Sequence, residues 1–295
     1  MENRQTPPGS PCRTMPEFAE CCDPREPLDL TGRKGLVVGI ANTHSLAWPA
    51  AMHFRQAGAE LAVTYVDARA KPYVAPLAER LEAPIFLPCD VTASNELEAV
   101  FAAITERWGR LDFVLHAIGS VPPADLHGRL TDCSEDGFSE AMRVSVHSLI
   151  RMARLAEPLM PDGGSLMTLS YLGGERVVEN YNVMGPVKAA LEASVRYLAH
   201  ELGPANIRVN AISAGPVPTR AASGLTGFGR LLDATARAAP LRRNIQADEV
   251  GRAALLLASD YTSGMTGEVL HVDAGVHIEG PVPAGAASNP PEASK

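Results

Sequence analysis

Between residues 35 and 272 the chain alternates short, almost wholly apolar runs with longer stretches whose apolar residues recur every three or four positions. The apolar runs fall at 35–40, 60–66, 84–88, 112–116, 165–169, 207–211 and 268–272. Each has the length of a strand rather than a helix and lacks regular polar alternation, so it reads as a strand buried on both faces. The periodic stretches at 46–57, 71–81, 95–108, 134–159, 188–202 and 248–258 read as amphipathic helices, the last with Asp248 near its N-cap. Strands separated by helical crossovers can pair only in parallel, with helices against both faces. The fold expected is therefore α/β, a doubly wound parallel sheet. Such sheets gather ligands outside the carboxyl ends of their strands. The residues just after each apolar run are thus the candidates for function.

With 295 residues, 46% of them hydrophobic, the chain can build one large core. We expect a single Rossmann-type domain over residues 30–279. Residues 1–29, rich in proline and charge, and 280–295, of low complexity, read as poorly ordered extensions. A net charge of −8 argues against nucleic acid or an anionic membrane surface as the main partner. No apolar run reaches the roughly 18 residues of a membrane span, and the N-terminus lacks the apolar core of a signal peptide. The five cysteines, at 12, 21, 22, 89 and 133, form neither a metal spacing nor an even disulfide framework, and the eight histidines show no metal spacing either. Reduced thiols in a cytoplasmic protein fit this pattern.

The run at 165–169 leads into Leu169-Ser-Tyr171-Leu-Gly-Gly-Glu-Arg-Val-Val-Glu-Asn-Tyr181-Asn-Val-Met-Gly-Pro-Val-Lys188. Two helical turns between Tyr181 and Lys188 would put both side chains on one face. An ammonium beside a phenol favours the phenolate and lowers the tyrosine pKa, making a pair suited to an oxygen that gains charge. Pro186, tolerated only in a first helical turn, instead allows a helix starting near Met184 with Tyr181 just ahead of it. A tyrosine and a snorkelling lysine with no joint role share the same spacing. Gly39 closes the first strand, where a dinucleotide pyrophosphate docks on helix N–H groups, although no G-x-G-x-x-G is present. It also suits a plain turn. Asp90, after the third run, could accept from an adenine amino group with Val91 packed on the ring, or simply cap a helix. Ala117-Ile118-Gly119, after the fourth, is small enough to let a ribose approach.

Leu169-Ser-Tyr171-Leu-Gly-Gly-Glu-Arg, Asn180-Tyr181-Asn-Val-Met-Gly, Lys188-Ala-Ala-Leu-Glu-Ala and Arg208-Val-Asn-Ala-Ile-Ser-Ala-Gly-Pro resemble the bacterial enoyl-[acyl-carrier-protein] reductases of the short-chain dehydrogenase/reductase superfamily. Arg220-Ala-Ala-Ser-Gly, Pro240-Leu-Arg-Arg and Gly267-Glu-Val-Leu-His-Val-Asp-Ala-Gly belong to the same pattern, which covers about residues 30 to 279. The spacing Tyr181-x6-Lys188 is the one that sets these reductases apart from the Tyr-x-x-x-Lys of other superfamily members.

The resemblance implies reduction of a trans-2-enoyl thioester on acyl carrier protein, in fatty-acid biosynthesis, by a cytoplasmic homotetramer. Tyr181 would support the enolate, Lys188 would bind the nicotinamide ribose, and Tyr171 would be the second active-site tyrosine. Gly39, Ser45 and Leu46 would cradle the pyrophosphate, and Asp90, Val91 and Ile118 the adenosine half. Val217, Pro218, Thr219, Arg220 and Ala221 would hold the nicotinamide end. Val121, Met184 and Phe228 would line the substrate side. Departures from the pattern are Trp48-Pro49 in the first helix, Ala117 in place of a common serine, and the loop Ser120-Val-Pro-Pro123 beside the substrate.

A ketone or alcohol dehydrogenase of the same superfamily would carry Tyr-x-x-x-Lys and a serine where Thr168 stands, and fits poorly. A non-catalytic nucleotide sensor would have no need of Tyr181 and Lys188. Coenzyme choice rests on the end of the second strand, where an acid accepts from a ribose 2′-hydroxyl and cations accept a 2′-phosphate. Asp67 directs the expectation to NADH rather than NADPH; Arg69 and Lys71 are the cations that could reverse it. Residues 220–240 read as short mobile helices, since Gly224, Gly227 and Gly229 specify 223–237 only loosely, as a substrate lid requires.

Overall fold

A computed structural model of the chain describes residues 28–219, 222 and 227–280. Apart from 28, 29 and 280, the two extensions expected from composition lie outside those residues. In chain order the elements are β1 (Lys34–Val38), α1 (Ala47–Gln56), β2 (Glu60–Tyr65), α2 (Lys71–Arg80), β3 (Ile85–Pro88) and α3 (Glu96–Trp108). Next come β4 (Phe113–His116), a one-turn α4 (Pro123–Leu126), α5 (Glu135–Met142), α6 (Ser148–Ala156), β5 (Gly164–Ser170) and α7 (Met184–Leu202). β6 (Ile207–Ala214), α8 (Phe228–Ala238), α9 (Ala247–Ala258) and β7 (Val269–Val272) complete the fold.

All seven strands pair in parallel in the order β3-β2-β1-β4-β5-β6-β7. The order reverses between β1 and β4, which opens a crevice at their carboxyl ends. Side chains alternate across the sheet: Leu36, Val38, Val114 and Leu166 join the core with α3, α5, α6 and α7, whereas Val37, Leu115 and Met167 join the core with α1, α2 and α9. Both layers are closely packed. The Phe113 ring lies 4.7 Å from that of Phe54 and directly over Gly35, where a Cβ would come within 2.2 Å of it. Each such buried ring or aliphatic side chain contributes about 1.5–3 kcal/mol.

The structure refines three sequence expectations. The helix expected at 134–159 is interrupted: Ser134 caps it by accepting from the Gly137 N–H at 2.9 Å, but Arg143–His147 is a π-helical turn between α5 and α6. There the Ser148 hydroxyl donates to the Val144 carbonyl at 2.6 Å and competes with the backbone ladder. Asp248 does lie near the N-cap of α9, in its first turn; the cap itself is Gln246, its side chain meeting the backbone of Glu249 while Glu249 accepts from the Gln246 N–H at 2.9 Å. Within 220–240 the structure shows one helix, α8, with Thr235 its only buried residue, while 220, 221 and 223–226 lie outside the described residues. Trp48-Pro49 fits because Pro49 stands in the first turn of α1, and α9 meets that turn at Gly251, where a Cβ would lie 2.8 Å from the Pro49 carbonyl carbon.

Gly39 is the position that lets β1 and β4 open as they do. Its φ is +115°, and a Cβ there would lie 2.1 Å from the Ala117 carbonyl oxygen, a backbone atom that the Ala117 N–H bond to Val38 holds in place. Gly39→Ala is expected to destabilise the protein by about 2–4 kcal/mol through strain and overpacking together. A urea melt should show a lower midpoint at unchanged slope, and an unchanged midpoint would contradict the close approach.

Candidate active site

Parallel pairing sets the predicted residues in one row. Gly39 follows β1, Asp67 follows β2, Asp90 and Val91 follow β3, Ile118 follows β4, Tyr171 follows β5, and Val217, Pro218 and Thr219 follow β6. Arg220 and Ala221 lie outside the described residues.

Near the pyrophosphate end, Ser45 Oγ accepts from the backbone N–H groups of Ala41 (3.0 Å) and Asn42 (3.2 Å), and Asn42 accepts from that of His44 at 2.8 Å. These bonds wind the chain from Gly39 to Leu46, the N-cap residue of α1, whose side chain does no capping. The first-turn N–H groups of α1 are therefore turned toward the crevice without a side-chain cap. Asp90 is a turn residue: Oδ1 accepts from Thr92 N–H (2.8 Å) and Thr92 Oγ1 (2.7 Å), and the Asp90 N–H donates to Glu96 at 2.7 Å. Turn and ligand roles remain compatible, since Oδ2 is a second acceptor. Asp67 closes its own turn, Oδ1 accepting from the Ala70 N–H at 2.7 Å, with Arg69 Nε 3.6 Å from Oδ2. Lys71 is turned back, its Nζ 5.6 Å from the centre of the Tyr65 ring.

The other end of the row is built on glycines and a buried cation. Lys188, one turn inside α7, is buried, and among the described residues its one hydrogen bond is donated to the Leu169 carbonyl at 2.7 Å. Loss of hydration pulls its pKa down to about 8, and the nearby Glu192 acts in the opposite direction. Glu192 is itself buried one turn further along α7. It accepts from Ser170 Oγ, and burial raises its pKa. A Cβ added to Gly119 would sit 3.6 Å from Lys188 Nζ, 3.8 Å from Ser145 Oγ and 3.9 Å from Met184 Cε. The space above Lys188 is thus left open by a glycine and walled by the π-turn and by the first residue of α7. Val121 sits half-buried in the loop after β4, and Phe228 begins α8.

Of the two arrangements open for Tyr181 and Lys188, the structure has the helix starting at Met184 with Tyr181 just ahead of it, and not the shared helix face. Asn180 (φ +63°) and Asn182 (φ +45°) take the left-handed conformation on either side of Tyr181, so α7 starts only at Met184. Asparagine tolerates that conformation better than most residues. Tyr181 instead lies against Gly173, where a Cβ would come within 2.3 Å of its ring, and meets the Tyr171 ring edge-on at 4.8 Å. The expected lowering of its pKa is also reversed. Lys188 is bonded to Leu169, and burial, with Tyr171 and Glu192 adding to it, pushes the Tyr181 phenol well above its ordinary value. Burial pushes Tyr171 up to about 12. Both phenols are neutral donors at physiological pH.

Sequence reasoning missed two residues here. Ser145, fully buried, accepts from the Ser120 N–H at 3.3 Å, and only the unforeseen π-turn presents it. His116 bridges Thr168 Oγ1 (2.8 Å) and Ser148 Oγ (2.7 Å) across β4, β5 and α6, and burial drives its pKa down to about 3, so it is neutral. Thr168, which stands where a ketone or alcohol dehydrogenase would carry its serine, is thus occupied in holding the sheet to the helix through His116.

The family profile described as enoyl-(acyl carrier protein) reductase matches residues 39–277. A Nostoc sp. protein named enoyl-[acyl-carrier-protein] reductase [NADH] FabI is 49% identical over 256 residues, 86% of this chain and 99% of its own. A Rhizobium meliloti enoyl-[acyl-carrier-protein] reductase [NADH] is 49% identical over 85% of this chain and 92% of its own. Among solved structures, the Anaplasma phagocytophilum reductase in complex with NAD superposes with a TM-score of 0.82 at 49% identity, covering 85% of this chain and 96% of that one. The Bacillus cereus reductase, bound to NADP+ and an indole naphthyridinone, gives 0.83 at 48%, over 85% and 99%. With its seven-stranded parallel sheet and its row of site residues, this chain belongs to the enoyl-(acyl carrier protein) reductase family.

Proposed function

We propose that this chain reduces trans-2-enoyl thioesters on acyl carrier protein to the saturated acyl thioesters with NADH, in fatty-acid biosynthesis, through residues 30–279. The observations that carry the reading are two neutral phenols, Tyr171 and Tyr181, set edge-on after β5, and a buried Lys188 whose Nζ lies beside Gly119 at the end of β4. The residues present suit a nicotinamide coenzyme. Lys188 has three donors and spends one on Leu169, which leaves two for ribose hydroxyls. When bound, the coenzyme supplies a hydride to C3 of the enoyl thioester.

Everything else falls to the chain. As charge collects on the thioester oxygen, Tyr181 donates a hydrogen bond to it, a contact that strengthens only as the enolate forms. Tyr171, edge-on to Tyr181, fixes that ring and adds a second phenol on the same side. Lys188 holds the ribose and contributes positive charge near the developing anion. Gly39, Ser45 and Leu46 receive the pyrophosphate on N–H groups. Asp90 Oδ2 accepts from the adenine amine with Val91 and Ile118 against the ring, and Val217 to Thr219, with Arg220 and Ala221, take the nicotinamide end. Val121, Met184 and Phe228 face the acyl chain. A homotetramer fits the sheet, because β7 has a neighbour on one side only and is half-buried along its length. A cytoplasmic setting is in keeping with the helices, none of which is long and apolar enough to cross a membrane among the described residues.

The assay is NADH oxidation with a crotonyl or longer enoyl thioester beside a 3-oxoacyl thioester. The enoyl substrate should be consumed and the 3-oxoacyl one left. Faster turnover of the 3-oxoacyl thioester would favour a ketone reductase, and none with either would favour a nucleotide sensor. Tyr181→Phe should lower kcat by about 10- to 100-fold with NADH affinity unchanged; wild-type turnover would remove Tyr181 from the mechanism. In the free protein Lys188 loses its charge as pH rises through about 8. NADH should therefore bind more weakly above that pH, and Lys188→Met should bind weakly at every pH. An affinity flat from pH 6.5 to 9.5 in the wild type would rule out the ammonium as a ribose ligand.

NADH is preferred over NADPH because Asp67 follows β2 while Lys71 is engaged with Tyr65. A carboxylate about 4 Å from a 2′-phosphate charge costs roughly 1–4 kcal/mol, partly offset by the exposed Arg69. The expected kcat/KM ratio is about tenfold in favour of NADH. A clear NADPH preference would place Arg69 or Lys71, not Asp67, at the ribose.

A further inference from the structure

The mechanism leaves one side chain at the catalytic turn without a task. Asn182, next to Tyr181, is half-buried, and its Nδ2 donates to the Leu126 carbonyl at 3.0 Å. Leu126 ends α4, a single turn whose last carbonyls have no helical partner. That turn lies in the loop between β4 and α5, the loop that carries Val121. A further attachment is Asp125, which accepts from the Ser134 N–H (2.6 Å) and Ser134 Oγ (3.0 Å) at the N-terminus of α5. Close packing reinforces this second anchor, because a Cβ on Gly137 would meet the Asp125 carboxylate at 2.1 Å. The loop is thus fixed firmly to α5 and tied to the tyrosine turn by the Asn182 bond. Tyr181 in turn receives the Met184 N–H on its carbonyl at 3.1 Å, so the same short segment sets the start of α7.

We propose that Asn182 is a positioning residue that couples the acyl-side loop to Tyr181, so that a long acyl chain lying against the loop holds the phenol at the thioester oxygen. A short chain, which does not reach the loop, gains nothing from the bond. The proposal rests on the enoyl reductase reading above. It also accounts for the residue type. The site needs both a tolerance of φ +45° and a donor aimed at a carbonyl. Glycine has the first without the second, and aspartate would set an acceptor against the Leu126 oxygen. Asn180, with φ +63°, shares the backbone requirement but not the bond to Leu126, and serves as the control.

The test compares Asn182→Gly, Asn182→Asp and Asn180→Gly with the wild type, using crotonyl and dodecenoyl thioesters. For Asn182→Gly the NADH dissociation constant should stay within about twofold of the wild type. The dodecenoyl-to-crotonyl ratio of kcat/KM should fall about fivefold, the scale of one lost hydrogen bond. Asn182→Asp should move the ratio in the same direction and decides the matter if the glycine variant does not fold. Asn180→Gly should leave the ratio at its wild-type value. Amide hydrogen exchange supplies a second readout independent of turnover: residues 123–127 should exchange faster in Asn182→Gly than in the wild type. A wild-type ratio in the Asn182 variants, an equal shift in Asn180→Gly, or unchanged exchange at 123–127 would overturn the coupling. If the wild type reduced neither thioester, the functional reading would fail, and the exchange comparison would still decide whether the bond couples the two segments.

Discussion

A buried ammonium has to be answered by acceptors, and much of this site is arranged around that requirement. Lys188 lies inside α7 with its Nζ on the Leu169 carbonyl and Glu192 one turn away. One acceptor leaves a cation underpaired in a region from which water is largely excluded, and its depressed pKa expresses that shortfall. A ligand bearing hydroxyl groups completes the shell. The glycine at 119 keeps the space for it open, and the reversal of strand order between β1 and β4 brings the crevice to the same point. On the function proposed, binding energy for a dinucleotide and charge for the reaction thus come from one residue.

The phenols are governed by a different constraint, backbone conformation. Two left-handed asparagines lift Tyr181 out of helical register and lay its ring on Gly173 beside Tyr171. Six residues between Tyr181 and Lys188 are what this detour needs. In a plain helix from the tyrosine onward, shorter spacing would serve. Burial then keeps the phenol protonated, which suits a donor to an enolate and would not suit a base. In the proposed mechanism Lys188 supports the anion from the coenzyme side rather than by ionising its neighbour.

Much of this was legible in the sequence because it depends on periodicity and on residue types with few alternatives. The seven strands appear within a residue or two of their apolar runs, except that β6 extends to Ala214 and draws Ile212 and Ser213 into the sheet. Gly39 was identifiable because its place after a first strand is topological. What stayed hidden depends on contacts distant in sequence. Nothing local shows that Lys188 bonds to Leu169, so the sign of the Tyr181 shift was misread. The π-turn at Arg143–His147 is set by Ser148 and His116, the latter on another element, and no periodic pattern announces it. The capping box of α9 escapes the sequence because glutamine is an uncommon N-cap, although Glu249 stands three residues later. Asn180-Tyr181-Asn182 carried a readable signal, since paired asparagines favour left-handed turns, but its link to Leu126 spans 56 residues.

In the proposed reaction a hydride reaches C3 of an enoyl thioester while the enolate, held by Tyr181, takes its C2 proton from solvent. Mass spectrometry with position assignment, on product formed from crotonyl thioester with NADH deuterated at both C4 positions in ordinary water and with unlabelled NADH in heavy water, tests this directly. The account predicts one coenzyme-derived deuteron at C3 in the first experiment and one solvent-derived deuteron at C2 in the second. Coenzyme label at C2, or at no carbon of the acyl group, would contradict it.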